Sequence, residues 1–284
     1  MPLPEESALE VAVVRGQSVL TTCRSVQPLK ILQPRSASRT CYAVLSSYGG
    51  GLVSGDAIRL RVRVGEEAQL FLGTQANTRV YKAVGTQKTL QHTTGTLAEN
   101  ALAVVFPDPL VPQAGSRYRQ QQHWQLQAGA VLLLADWFHA GRTDSGERFA
   151  FTSLRTELRV ERLGKLVLLD RFQFQPEEHI ASSPAHFGPY QTMLSLYLVG
   201  PPNDPRFQRL AEALLAQQLP ERRDPHFTLA ARPYIVSVAQ AREDVYVLRA
   251  LGLSRADLQP LCEEVMRVLA SPELLGFNPW TRKF

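Results

Sequence analysis

Gly49-Gly50-Gly51-Leu52-Val53-Ser54-Gly55-Asp56 runs without a break into Ala57-Ile58-Arg59-Leu60-Arg61-Val62-Arg63-Val64, and the two halves carry different signals. Glycines this dense mark backbone that bends tightly or approaches something closely, which invites a phosphate-binding loop. No Lys-Ser or Lys-Thr pair follows, however, and the next eight residues alternate with period two where a phosphate loop would open a helix. Ile58, Leu60, Val62 and Val64 fall on one face and Arg59, Arg61 and Arg63 on the other, as in a strand with one face buried and one wet. The stretch therefore reads as a tight turn feeding a strand, with no nucleotide involved.

Working outward, similar apolar segments recur at Leu70-Phe71-Leu72, Leu102-Ala103-Val104-Val105-Phe106, Val131-Leu132-Leu133-Leu134, Leu158-Arg159-Val160 and Leu166-Val167-Leu168-Leu169, each near a turn residue. Glycine turns that lead into apolar strands begin at Gly65, Gly95, Gly129 and Gly164, a spacing of roughly 30 to 35 residues that suits stacked β units. It suits equally the glycine turns of any large antiparallel protein. Past Gly200-Pro201-Pro202-Asn203-Asp204-Pro205 the period changes. Phe207, Leu210, Ala211, Leu214 and Leu215 recur at helical spacing, with Asp204 as cap and Pro205 at the first helical position. Val236, Val238 and Val245–Leu251 read as strands returning to the sheet. Ser254, with Asp257 three residues later, predicts the start of a second helix through Leu258, Leu261, Cys262, Val265, Met266 and Leu269. No linker composition divides the chain, so residues 1–284 are expected to form one domain, with residues 1–20 a loosely ordered lead-in.

Composition narrows the function classes. The chain has 284 residues, 44% hydrophobic and 20% charged, an ordinary globular balance. Its net charge is +5, but 31 bases are scattered among 26 acids without a stripe interleaved with aromatics, which argues against nucleic acid. Cys23, Cys41 and Cys262 form no CxxC pair, which speaks against a disulfide scaffold or a structural zinc site and fits a reducing compartment. Met1-Pro2-Leu3-Pro4-Glu5-Glu6 lacks a basic region followed by an apolar run, and no apolar stretch reaches the roughly 20 residues that span a bilayer. A cytoplasmic location is expected.

Enzyme signatures are absent: no HExxH, no GxSxG elbow, no GxGxxG after a strand. What stands out is a set of polar residues in or beside apolar strands: Asp56, Thr74-Gln75-Ala76-Asn77 with Lys82 beyond it, Asp136 and His139 around Trp137-Phe138, then Arg142 and Glu147. Two readings fit. Carboxylates and an imidazole can line a wet path for a cation, or these are turn residues and strand-end hydrogen bonds. A third possibility, a β-solenoid hydrolase acting on carbohydrate polymers, needs paired carboxylates facing one groove, for which Asp136 and Glu147 are the candidates.

At these residues the chain resembles the urease accessory protein D family, called the H type in some bacteria. The resemblance rests on Tyr48–Asp56, Gly73–Lys82, Phe106-Pro107-Asp108-Pro109-Leu110, Arg117-Tyr118-Arg119-Gln120, Ala135–Arg142 with Ser145-Gly146-Glu147, and Leu248–Gly252, all in family order over roughly residues 40 to 284. The Pro-Asp-Pro form and Asp136-Trp137-Phe138 look more like the plant and fungal version. In the commoner bacterial pattern the Leu-Pro segment continues Gln-Glu-Thr and Phe-Asp-Gly, whereas here no carboxylate follows Asp108 for several residues.

The resemblance implies a mainly β fold, a solenoid-like (β-helical) stack of strands with two α-helices in the C-terminal third. It implies no enzyme. Family members bind apo-urease and, with F-type and G-type accessory proteins, the latter a GTPase reached through the F-type protein, deliver nickel into the urease active site. The implied cargo is transient nickel, with no cofactor held permanently. Carried over by motif, Asp56 and Asp136 stand for tunnel or transfer carboxylates, and Asp108 and His139 are candidates to replace the missing acids. Gly49, Gly50, Gly51, Gly55, Thr74, Gln75 and Asn77 would shape the passage, and Lys82, Arg142 and Glu147 would serve structure or partner contact.

Overall fold

The computed structural model describes residues 5–34, 38–183, 185–219 and 232–282. Two hairpins come first: β1 (Ser7–Val14) with β2 (Gln17–Arg24), then β3 (Leu29–Leu32) with β4 (Cys41–Ser47). From β4 the chain shuttles between two facing sheets. It passes β5 (Ala57–Val64) in one, β6 (Gln69–Thr74) in the other, then β8 (Thr89–Leu97), β9 (Leu102–Phe106), β11 (Arg117–Leu126), β12 (Val131–His139) and β13 (Ser153–Arg162) in alternation. Two short strands, β7 (Thr78–Val80) and β10 (Leu110–Pro112), pair in parallel as a narrow third wall, to which Leu52 adds a bridge at Val80.

Strands of successive windings pair in parallel, β5 with β8, β11 and β13 in one sheet and β4 with β6, β9 and β12 in the other. This is the β-helical stack. Its end changes style. β14 (Lys165–Phe174) folds back on β13, and β15 (Thr192–Val199), β16 (Tyr234–Arg242) and β17 (Val245–Gly252) continue the second sheet antiparallel past β12. Among the described residues the sheet containing β5 has seven strands and the other ten, counting β7 and β10, which join it where β10 pairs with β12.

The two sheets enclose one core, including Leu60, Leu72, Leu134 and Leu158. The outer face of the ten-stranded sheet carries a second, built from Phe71, Val104 and Leu133 against α1 (Pro205–Leu215) and α2 (Gln259–Val268). Asp204 caps α1 by accepting from Arg206 N at 2.8 Å. The Arg206 guanidinium reaches the Asn100 and Gly129 carbonyls at 2.8 and 2.7 Å, fastening the helix to two stacked turns.

Three expectations change. Residues 7–14 and 17–24 form paired strands, and β1 also pairs in parallel with β5, burying Ala8, Leu9 and Val11; the expected loose lead-in up to residue 20 is a sheet component, and residues 1–4 lie outside those described. Gly95 is inside β8 and marks no turn: a Cβ there would meet Trp124 Cε3 at 2.0 Å. The stacked turns sit instead at Glu67, Asn100 and Gly129, all left-handed (φ 56°, 58° and 67°). Ser254 and Asp257 do form the reciprocal bonds of a capping box, with Ser254 N to Asp257 Oδ2 at 2.8 Å, but they close a short 3-10 turn (Ala256–Leu258) and α2 begins just after it.

Candidate functional site

Register fixes what the two sheets show each other. On β11 the inward positions are Tyr118, Gln120, Gln122, Trp124 and Leu126, so three apolar residues bracket two amides. Gln120 is directly opposite Gln91 of β8 and Thr156 of β13, and these side chains make a polar row running across the strands. The facing sheet carries its own row: Asp136 of β12 is opposite Ser195 of β15, which is opposite Arg249 of β17, which is opposite Ser237 of β16. Both rows run along the axis of the stack. Between them lie four cavities in series, each sharing wall residues with the next.

The first, about 80 Å³, has Ser46, Ser47, Gly50, Gln75, Ala76 and Asn77 at its rim and shares Leu45, Thr74, Thr78 and Gln91 with the second. The second, about 60 Å³, holds Asp108, Tyr118, Gln120 and Asp136. The third, about 20 Å³, adds Thr156, Asp170, Ser195 and Tyr197, and the fourth, about 460 Å³, is walled by Phe172, Phe174, Phe187, Met193 and Leu251. A water needs about 10–15 Å³ of such space and two or more polar partners, so the first three have room for a short file of waters along hydroxyls, amides and carboxylates.

Asp136 is at the centre. Its Oδ1 accepts from Gln120 Nε2 at 3.2 Å, bridging the two sheets. The area it still exposes faces these cavities. Removal from bulk solvent raises its pKa to about 6, the nearby Asp170 charge adds to the rise, and bonds from Gln120 and Thr156 oppose it. Asp170 accepts from the Tyr197 hydroxyl and, at 2.7 Å, from Arg249 Nη2. Burial first, then Asp136, pushes the Tyr197 phenol up, which keeps it a neutral donor. Asp108 is also buried, its Oδ2 3.2 Å from the Thr74 hydroxyl, with Arg255 3.8 Å away and bonded to Asn77 Oδ1 at 3.0 Å.

The other residues singled out from sequence fall elsewhere. Asp56 Oδ2 accepts from Val53 N at 2.7 Å and closes the turn after the glycine run, away from the cavities. Gly49, Gly50 and Gly55 adopt φ of 69°, 75° and 86°. Gly51 is a close approach, since a Cβ there would meet Arg79 O at 2.9 Å and Tyr81 Cε2 at 2.8 Å. His139 has both ring nitrogens engaged, Nδ1 with Thr192 Oγ1 at 2.7 Å and Nε2 with Thr143 Oγ1 at 2.9 Å, and burial lowers its pKa. Arg142 and Glu147 pair within one loop, and Ala114 N adds a bond to Glu147 at 3.3 Å. The Lys82 stem lies against Gly115. Asp56, Asp136 and His139 are thus not brought together, and among the described residues no three His, Cys, Asp or Glu side chains gather to hold a metal. Asp136 lines the interior while Glu147 holds a surface loop, so they share no groove of the kind a glycoside hydrolase needs.

Asp170 and Tyr197 escaped the sequence reading, and Gln120 and Arg249 entered it only inside motifs, with no role assigned. A signal for Asp170 was present: it shares parity with Leu168, Phe172 and Phe174, so a carboxylate stands in a core-facing register.

Fold and site together define a β-helical protein with a series of polar interior cavities, and comparison with known proteins carries this further. A family model described as UreD urease accessory protein matches residues 5–283. A urease accessory protein UreD of Cytophaga hutchinsonii is 35% identical over 277 residues, covering 96% of each chain. A urease accessory protein D of Oryza sativa subsp. japonica is 38% identical over 157 residues, 53% of this chain and 50% of its own. An uncharacterized urease accessory protein ureD-like of Schizosaccharomyces pombe is 30% identical over 226 residues, 75% of this chain and 76% of its own. The chain belongs to the UreD urease accessory protein family, whose members are named as accessory proteins and not as enzymes. Among the described residues no helix is long and apolar enough to cross a membrane.

Proposed function

We propose that this chain is a non-catalytic scaffold for urease maturation that binds apo-urease and lets nickel pass through its β-helical interior, in the cytoplasm, with an F-type accessory protein and, through it, a G-type GTPase as partners. The observation that supports this reading is the pair of polar rows that cross both sheets and line cavities in series. Nickel crossing protein must exchange part of its water shell for oxygen ligands without being trapped. Weak sites in series achieve that, whereas a tight cage holds the ion. The interior offers single carboxylates at successive stations, Asp108, Asp136 and Asp170, separated by neutral amides and hydroxyls. Asp136 ionises near neutral pH, so a cation arriving beside it displaces a proton at low cost.

Asp136→Asn keeps the shape and the bond from Gln120 but removes the charge. Co-expression of the urease genes with this variant is expected to lower urease nickel content and activity about tenfold, while the variant folds and still co-purifies with apo-urease. Full nickel loading in that variant would sink the passage reading.

A further inference from the structure

The fourth cavity ends in two imidazoles that the passage does not use. His179 and His186 sit on the segment between β14 and β15, with ring centroids 5.6 Å apart and planes at 87°, and both pack on Phe174. Each has its Nδ1 beside a backbone carbonyl, Gln175 O at 3.1 Å for His179 and Ile180 O at 3.0 Å for His186. Gln175 N also donates to the His179 nitrogen, at 3.3 Å, so the two contacts of His179 Nδ1 favour opposite tautomers, whereas His186 Nδ1 has the carbonyl contact. Neither Nε2 has a hydrogen-bond partner among the described residues. An imidazole whose Nδ1–H is tied to a carbonyl presents its Nε2 lone pair in a fixed tautomer, which is how protein histidines are held for metal ligation.

We propose that His179 and His186 together bind one divalent cation of borderline softness, nickel being the one at hand, at the outer end of the internal path. Metal–nitrogen bonds of about 2.1 Å place two imidazole centroids on one ion at most roughly 6.5 Å apart, and 5.6 Å falls inside that limit. Imidazole suits nickel, and oxygen-seeking ions such as magnesium favour carboxylates and water. Arg249, which lines the same cavity, has its charge matched by Asp170. Two ligands leave the other coordination positions to water or to a partner's side chain, so the site is weak enough to pass its ion on. The choice of nickel rests on the passage reading above; the site itself does not.

The test is titration of the full chain with nickel chloride by calorimetry. His186→Gln, at an exposed position, and His179→Asn are each expected to weaken binding at least tenfold, with an unchanged unfolding midpoint for His186→Gln, while His92→Ala, an exposed histidine elsewhere, binds like the wild type. Magnesium in tenfold excess is expected not to compete. Wild-type affinity and stoichiometry in both His186→Gln and His179→Asn would overturn the proposal. Urease activation by Asp136→Asn separates the two ideas: full activation in that variant, with nickel binding still lost in His186→Gln, removes the passage and upholds the imidazole site.

Discussion

The two sheets of this protein do different work with the same winding. The seven-stranded sheet has one face wet, and β5 accordingly alternates, with Ile58, Leu60, Val62 and Val64 buried and Arg59 and Arg63 exposed. The ten-stranded sheet is covered on both faces where α1 and α2 lie over it, so β9 is buried at all five positions and β12 from Val131 to Ala135. A doubly covered parallel strand reads as a continuous apolar run and a half-wet one as an alternation. The position of the polar interior follows from the contrast: Gln91, Gln120 and Thr156 occupy the inward register of the alternating sheet, while the facing sheet supplies Asp136 as a break in an otherwise apolar run.

The contrast is broken most strongly at Leu133, which is fully buried against the helix layer. Leu133→Ala is expected to cost about 3 kcal/mol through lost contacts and a residual cavity, against no more than about 0.5 kcal/mol for Arg59→Ala on the wet face. Urea unfolding midpoints at constant slope check both, and equal shifts would refute the difference between the sheets.

Next in size is the contact between neighbouring windings of the alternating sheet. Gly95 and Trp124 are directly opposite in register, and the indole occupies the space where any side chain at 95 would go. Gly95→Ala forces a fully buried ring to move, and overpacking of this kind costs about 1–3 kcal/mol. The double variant Gly95→Ala with Trp124→Leu is expected to lose less than the sum of the single losses. Strict additivity would mean that the two residues do not meet.

The polar interior gives a pH signature that neither apolar face has. The folded Asp136 carboxyl keeps its proton up to about pH 6, whereas the unfolded one releases it near its ordinary value of 3.8. Between those values the folded state binds more protons, so this group's contribution to stability falls as pH rises and levels off above about 6. At about 1.4 kcal/mol per pKa unit the full effect is about 2–3 kcal/mol. Asp136→Asn should match the wild type near pH 4 and exceed it in stability at pH 7, while losing nickel transfer. A variant that is no more stable at pH 7 would show that the carboxylate is not desolvated. The same substitution thereby separates structure from function, because instability cannot account for lost activation in a more stable protein.

How legible this was in the sequence follows the same division. The alternation at 57–64 and the apolar runs at 102–106 and 131–134 gave the strands directly, because each pattern is set by the covering of its own faces. The glycine period left stacked units and an ordinary antiparallel sheet equally open, and one of its positions marks no turn, since Gly95 is kept small by Trp124, a packing reason that mimics a turn signal. Asp136 was visible as a carboxylate in an apolar run. Asp170, Tyr197 and Arg249 were not singled out, because their meeting depends on antiparallel pairings that bring together residues far apart in the chain. Asp56 and His139 stand at strand ends with their polar atoms already engaged, Asp56 in the turn it closes and His139 by Thr192 of the neighbouring strand and by Thr143.

The smallest effect sharpens what makes the ten-stranded sheet different, namely its helix cover. Asp204 accepts from Arg206 N at 2.8 Å and also from the guanidinium, with Nη2 2.7 Å from Oδ2, so one carboxylate both caps α1 and aims the arginine that grips the Asn100 and Gly129 carbonyls. Burial opposes the charge, but the Arg206 contacts prevail and hold the Asp204 carboxyl below its usual range. Asp204→Ala should therefore cost about 1 kcal/mol, the usual loss for a cap, and that loss should shrink as pH falls and the wild-type carboxyl takes up its proton. Arg206→Met leaves the backbone cap bond in place and removes the guanidinium, with its grip on the turns and its pairing with Asp204. If α1 stays on the sheet mainly through Phe207, Leu210 and Leu214, Arg206→Met will move the midpoint less than Asp204→Ala does; if the turn carbonyls are what hold it, the order reverses.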